Sequence, residues 1–125
     1  MIVINEKDLG KAIKEKKKII EIRGVLKNRV YSIKSVEKSI WNECATQISM
    51  AVLFLQEMTN ADGITTPVSV LTGTPILEKI ASILGISNAF SSIMIAMAGV
   101  GVGILNQLRS YQIDQMTEEK IVLRR

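Results

Sequence analysis

A chain of 125 residues with no histidine and a single cysteine has the length of one domain. It excludes an intrachain disulfide, the Ser-His-Asp and Cys-His nucleophile systems and the commonest metal ligand. Its net charge of +4 and mean hydropathy of +0.25 suit neither a chain that is mostly membrane span nor an ordinary soluble domain, so the distribution of charge must decide.

In chain order, residues 2–5 (Ile-Val-Ile-Asn) predict a short strand, and 6–17 a helix capped by Asn5 or Asp8. Leu9, Ala12 and Ile13 share one face of that helix at helical spacing. Lys11, Lys14, Lys16, Lys17 and Lys18 cover the rest and form a candidate basic patch for an anionic membrane surface. Residues 18–23 (Lys-Ile-Ile-Glu-Ile-Arg) predict a second strand, stopped by Gly24. Residues 25–37 fit two patterns. Val30-Tyr31-Ser32-Ile33-Lys34 suits a strand, and Leu26, Val30, Ile33 and Ile40 have helical spacing. The strand or turn is favoured, with a helix starting near Ser35 or Ser39.

A clearer helix is expected over 39–58, with Ile40, Trp41, Cys44, Ile48, Ala51, Val52 and Leu55 on one broad apolar face. Thr59-Asn-Ala-Asp-Gly63 predicts a turn, and Pro67, Gly73 and Pro75 make 64–77 an irregular connection or a re-entrant loop. Residues 80–108 contain no charge. Gly85 and Ser87-Asn88 divide them into a helix over 75–84 and a longer one over 88–108, about the length that crosses a hydrocarbon core. Arg109 and Tyr111 follow as basic and aromatic interfacial anchors. Residues 110–114 and 120–124 predict two strands joined by a turn at Met116-Thr-Glu-Glu119.

The fold class expected is α+β. The N- and C-terminal segments form a small sheet with one basic helix, and 39–108 form a central apolar helical hairpin embedded in a membrane. The 125 residues make one domain, 1–38 and 109–125 being its polar cap. Residues 1–38 hold eleven Lys/Arg and five Asp/Glu, 39–108 one Lys and four acids, and 109–125 four Lys/Arg and three acids. Cations concentrated beside an uncharged middle put both termini on the cytosolic side. Met1-Ile-Val-Ile-Asn-Glu-Lys7 lacks the layout of a signal peptide, in keeping with that orientation.

Gly99-Val-Gly-Val-Gly103 is not a dinucleotide fingerprint, because Ile104 stands where the third glycine is required, and no Lys-Ser/Thr follows to make a P-loop. Ala96, Gly99 and Gly103 instead place small residues along one helix face, a candidate packing face between subunits in lipid. Asn42, Glu43, Thr46 and Gln47 make the first arm polar for a lone span, and such groups must face protein or water. Hence a homo-oligomer is expected, with Glu43, Thr46, Gln47 and Glu57 as candidate pore-lining or inter-subunit residues. No catalytic residue, cofactor or metal is expected, and the basic segment lacks the aromatic interleaving of a nucleic-acid site. The function these features predict is that of a membrane-perturbing or pore-forming effector. The rival is a soluble self-assembling protein that buries its middle between subunits.

Overall fold

The computed structural model describes residues 1–58 and 68–125. The predicted turn at 59–63 and the first part of the predicted irregular connection lie outside the described residues. Among the described residues the protein is α+β, with six helices and a four-stranded mixed sheet.

The chain opens with strand β1 (Ile2–Val3), helix α1 (Glu6–Lys14) and strand β2 (Ile19–Arg23). Asn5 caps α1, its side chain accepting from the Asp8 backbone N–H at 2.8 Å, which satisfies one donor that a helix start leaves free. At Gly24, with φ of 75°, the chain takes a conformation that costs a side-chain-bearing residue and passes straight into helix α2 (Val25–Ser35). This corrects the strand expected at 25–37. Leu26, Val30 and Ile33 are buried, so the helical spacing prevailed over the β-branched run.

Helix α3 (Lys38–Met58) matches the first predicted arm. Its expected apolar face is buried apart from Ile40. A short 3-10 turn over Val68–Leu71 precedes helix α4 (Pro75–Leu84). Thr74 caps α4 and Pro75 sits in its first turn, where a missing N–H costs nothing. Gly85 separates α4 from helix α5 (Ile86–Gly99), and the two axes bend by 110°.

The second predicted arm, 88–108, is not one helix. It ends as α5 at Gly99, where Val100 adopts a left-handed conformation (φ 64°). It resumes as helix α6 (Gly103–Ser110). Strand β4 (Lys120–Arg124) follows as expected, whereas β3 (Gln112–Met116) begins two residues later than expected, Ser110 closing α6 and Met116, expected in the turn, ending the strand.

The sheet order is β1-β2-β4-β3, with β1 parallel to β2 and the other pairs antiparallel. The chain's beginning and end therefore meet in one sheet. Val3, Ile20, Ile22, Ile121 and Leu123 share the face turned to the helices and are buried. On the opposite face Ile2, Ile19, Arg23 and Arg124 are exposed.

The apolar middle does not project from this sheet as a free hairpin. Helix α5 packs on α1 and also touches α2, α3, α4 and α6, so the least polar helix forms the centre of the core. Ile93, Ile95 and Ala96 are fully buried there. Each fully buried isoleucine contributes roughly 1.5–3 kcal/mol.

Candidate functional site

Helix α5 and the contacts that hold it are the structural feature to which the uncharged segment leads. Gly10, in the middle of α1, permits the closest of these contacts. A Cβ at Gly10 would lie 2.6 Å from Ala98 Cβ and 2.6 Å from the Ile95 carbonyl oxygen. The backbones of α1 and α5 thus approach as only glycine allows. An interior glycine costs a helix about 1 kcal/mol against alanine, so its presence there was itself a sign of close approach that periodicity alone does not read.

A polar tie fixes the same crossing. Arg29 Nη1 on α2 donates to Glu6 Oε1 at 3.1 Å and to Ser91 Oγ at 3.1 Å. The buried Ser91 hydroxyl on α5 donates to Glu6 Oε1 at 2.9 Å. Three helices share one partly buried carboxylate, and among the described residues no buried side-chain nitrogen or oxygen lacks a hydrogen-bond partner, as burial requires.

At the far end of the core the C-termini of α2 and α6 meet, and each is capped by a cation from the other. Arg109 on α6 donates to the carbonyls of Ile33 at 2.7 Å and Val36 at 2.8 Å. Lys34 on α2 donates to the carbonyls of Leu108 and Arg109, each at 3.1 Å, and of Tyr111. Helix C-termini leave carbonyls without partners and carry partial negative charge, so both cations are well placed. Burial, and then the neighbouring Arg109, push the Lys34 ammonium below its ordinary pKa. The Arg109 guanidinium lies 4.4 Å over the Trp41 ring, and Trp41 Nε1 donates to Asn106 Oδ1 at 2.8 Å.

Tyr111 closes this corner, its hydroxyl donating to the Lys17 carbonyl at 2.6 Å. Burial raises its pKa above the ordinary 10.0. The unfolded chain then ionises first as pH rises, so Tyr111 withdraws stability above pH 10.0. At neutral pH Tyr111→Phe is expected to cost about 1 kcal/mol, the worth of a buried hydrogen bond. Above pH 10.0 the gap between wild type and variant is expected to narrow in urea titrations. A gap that stays constant with pH would show that Tyr111 ionises alike in both states.

The small-residue face predicted from sequence is divided. Ala96 and Gly99 are buried, and a Cβ at Gly99 would lie 2.2 Å from Ile104 Cγ1, so its missing side chain serves the turn into α6. Gly103 is exposed, and a Cβ there would meet nothing within 4 Å. On α3, Glu43, Thr46 and Glu57 are exposed and Gln47 is half-buried. The Thr46 hydroxyl donates to the Asn42 carbonyl at 2.9 Å. Lys11, Lys14, Lys16, Lys17 and Lys18 are all exposed. A second stripe on α3, which the sequence reading did not single out, leaves Met50, Leu53, Phe54 and Met58 in solvent.

An open depression of about 560 Å³ lies between α2, α3 and α4, lined by Ser32, Ser35, Glu37, Ile40, Ser82 and Ile83 among others. Its three serine hydroxyls donate to backbone carbonyls of their own helices. Among the described residues no group of three or more His, Cys, Asp or Glu could hold a metal ion. No single helix among them is long and apolar enough to cross a membrane, whereas α4 and α5 together pass that test but for their bend.

Among the described residues, the site and fold define a small α+β protein with an apolar helix packed among five other helices, beside a four-stranded mixed sheet. No family model, no curated protein and no solved structure matches this chain.

Proposed function

We propose that this protein is a small membrane-active effector that keeps its insertion segment folded in its own core. The observation that carries the reading is the uncharged run 80–108. From Ile80 to Gly99 it comprises about twenty residues, roughly 30 Å if straightened into one helix, the thickness of a hydrocarbon core. The bend at Gly85 is the point that must open. On release, α4–α5 and α3 form the hairpin in the bilayer, both termini stay on the cytosolic side and the lysine-rich segment remains at the surface. Ala96 and Gly99, at the end of that span, then supply a close-packing face for a homo-oligomer. The polar side of α3, with Glu43, Thr46, Gln47 and Glu57, is shared between subunits or lines an aqueous path.

A specific observation favours a second reading. Met50, Leu53, Phe54 and Met58 form an exposed apolar stripe on α3, suited to burial between copies of a soluble assembly. Cell fractionation with an alkaline carbonate wash separates the two. Protein that stays with the membranes and yields only to detergent supports the effector, and conductance across lipid bilayers is then expected. A defined soluble assembly by light scattering, with none in the washed membranes, supports the second reading and rejects the first.

A further inference from the structure

We infer that the sheet face turned away from the helices is an electrostatic docking surface for anionic lipid headgroups. This rests on the membrane-active reading and names the surface through which the folded form first meets a bilayer. The strand register assembles the face from three distant segments. Ile2 lies beside Glu21 and Glu21 beside Val122, Ile19 lies beside Arg124, and Arg23 beside Lys120. Ile2 and Ile19 are 60% and 45% exposed, which is high for aliphatic side chains gathered on one sheet face.

Beside them stand Arg23, Lys120 and Arg124. The one acid in the middle of the face, Glu21, is paired with Arg23 at 2.5 Å and with Lys120 at 3.4 Å. Arg124 reaches Asp114 at the sheet edge, 3.2 Å away. Just past the ends of β2 and β4, the Arg125 N–H donates to the Lys18 carbonyl at 2.8 Å and holds the two strand ends together. Three cations, Arg23, Lys120 and Arg124, stand against two acids, Glu21 and Asp114, so the face is net positive around exposed aliphatic side chains.

That combination selects among occupants. A second copy laid face to face would set Arg23, Lys120 and Arg124 against the same cations, and like charges in contact repel. A single-stranded nucleic acid gains its grip from stacking on aromatic rings, and β1, β2 and β4 place none on this face. An anionic bilayer takes both components. Phosphates and serine carboxylates meet the cations, and the isoleucines enter the boundary between headgroups and acyl chains.

The test is co-sedimentation of the full chain with phosphatidylcholine vesicles made with and without phosphatidylserine. Binding is expected only with phosphatidylserine. The triple variant Arg23→Gln, Lys120→Gln, Arg124→Gln is expected to bind roughly a hundredfold more weakly, at roughly fivefold per cation held at an anionic surface. A variant that loses the same charge elsewhere, Lys7→Gln, Lys38→Gln, Lys79→Gln, is expected to bind close to wild type. Equal losses in the two variants would mean that net charge, not this face, drives binding, and would overturn the inference. So would a wild-type chain that binds single-stranded RNA but not vesicles.

Because removal of three cations can disturb the ion pairs of the sheet, single-site labels give an independent measurement. Cys44 is buried, so a polarity-sensitive dye will label Ile2→Cys or Met94→Cys selectively in the folded chain. A blue shift of the Ile2→Cys dye on phosphatidylserine vesicles supports docking by this face. A shift at Met94→Cys alone would leave the membrane-active reading standing and remove the docking face. No shift at either position would reject both.

Discussion

Leucine at Gly10 is expected to cost the fold several kcal/mol and to drive the protein out of its compact form. The β-carbon alone would stand 2.6 Å from Ala98 Cβ and from the Ile95 carbonyl oxygen. Neither atom is the tip of a flexible side chain, so α1 and α5 must move apart. Two effects oppose each other at this position. Replacing an interior helical glycine by alanine gains about 0.5–1 kcal/mol from reduced backbone freedom. Forcing extra carbon into a closely packed contact costs typically about 1–3 kcal/mol, and more where the obstacle is backbone. The cost wins, so Gly10→Ala is expected to be modestly destabilised and Gly10→Leu severely so.

Urea titrations followed by the fluorescence of Trp41, which is buried, give the order directly. Against a total stability of about 5–15 kcal/mol for a typical domain, the leucine variant is expected to populate open forms without denaturant. If α5 is the insertion segment, the same variant will show a larger carbonate-resistant membrane fraction than wild type. A Gly10→Ala variant more stable than wild type would mean that the two helices separate at little cost. The packing account of Gly10 would then fail.

The parts of this fold legible in the sequence are those where one local signal stood alone. Ile19-Ile-Glu-Ile-Arg alternates and ends at a glycine, and it is a strand. Trp41, Cys44, Ile48, Ala51, Val52 and Leu55 repeat at helical spacing, and they are the buried face of α3. The helix expected over 75–84, ended by Gly85, is α4. Residues 25–37 carried two signals at once, and β-branched residues at Val30 and Ile33 weighed toward the strand until tertiary burial decided for the helix. The run Gly99 to Gly103 shows, in the sequence, small residues suited to packing. It supplies the turn between α5 and α6 as well, which needs positive φ at Val100 and Gly101.

The contacts that define the site were illegible for a different reason. Glu6 and Ser91, or Lys34 and Tyr111, are far apart in the chain, and no spacing rule links them. The same holds for the outer sheet face, where Ile2, Arg23 and Arg124 become neighbours only through the register of β1, β2 and β4. The lysine run at 11–18 was visible as charge, but not that β4 would bring Arg124 and Arg125 beside its end. Polarity patterns are read along a chain, whereas sheets and helix crossings recombine distant pieces of it.

Arg109→Ala is expected to destabilise the protein by about 3 kcal/mol, the second-largest effect of a single residue here. The side chain does two things at once. Its guanidinium satisfies the carbonyls of Ile33 and Val36 at the end of α2, and hydrogen bonds to a charged group are worth about 1.5–3 kcal/mol. It also covers Trp41 at 4.4 Å, a cation–π contact worth about 0.5–2 kcal/mol depending on desolvation. Against these stands the repulsion of Lys34, whose pKa Arg109 helps to depress. That repulsion is relieved in the variant, which is why the estimate lies below the sum of the separate terms. At about 4 °C per kcal/mol for a domain of this size, the melting temperature should fall by roughly 10–15 °C. Arg109→Lys keeps the charge but loses the planar fork that reaches two carbonyls, so it should fall between wild type and alanine. The emission of Trp41 should change in both variants, because the group above its ring is altered. A loss below about 1 kcal/mol in Arg109→Ala would mean that water reaches the α2 carbonyls once the side chain is gone. In that case the junction of α2 and α6 is a hydrated surface rather than a sealed end of the core, and it would be the natural place for the compact form to open first.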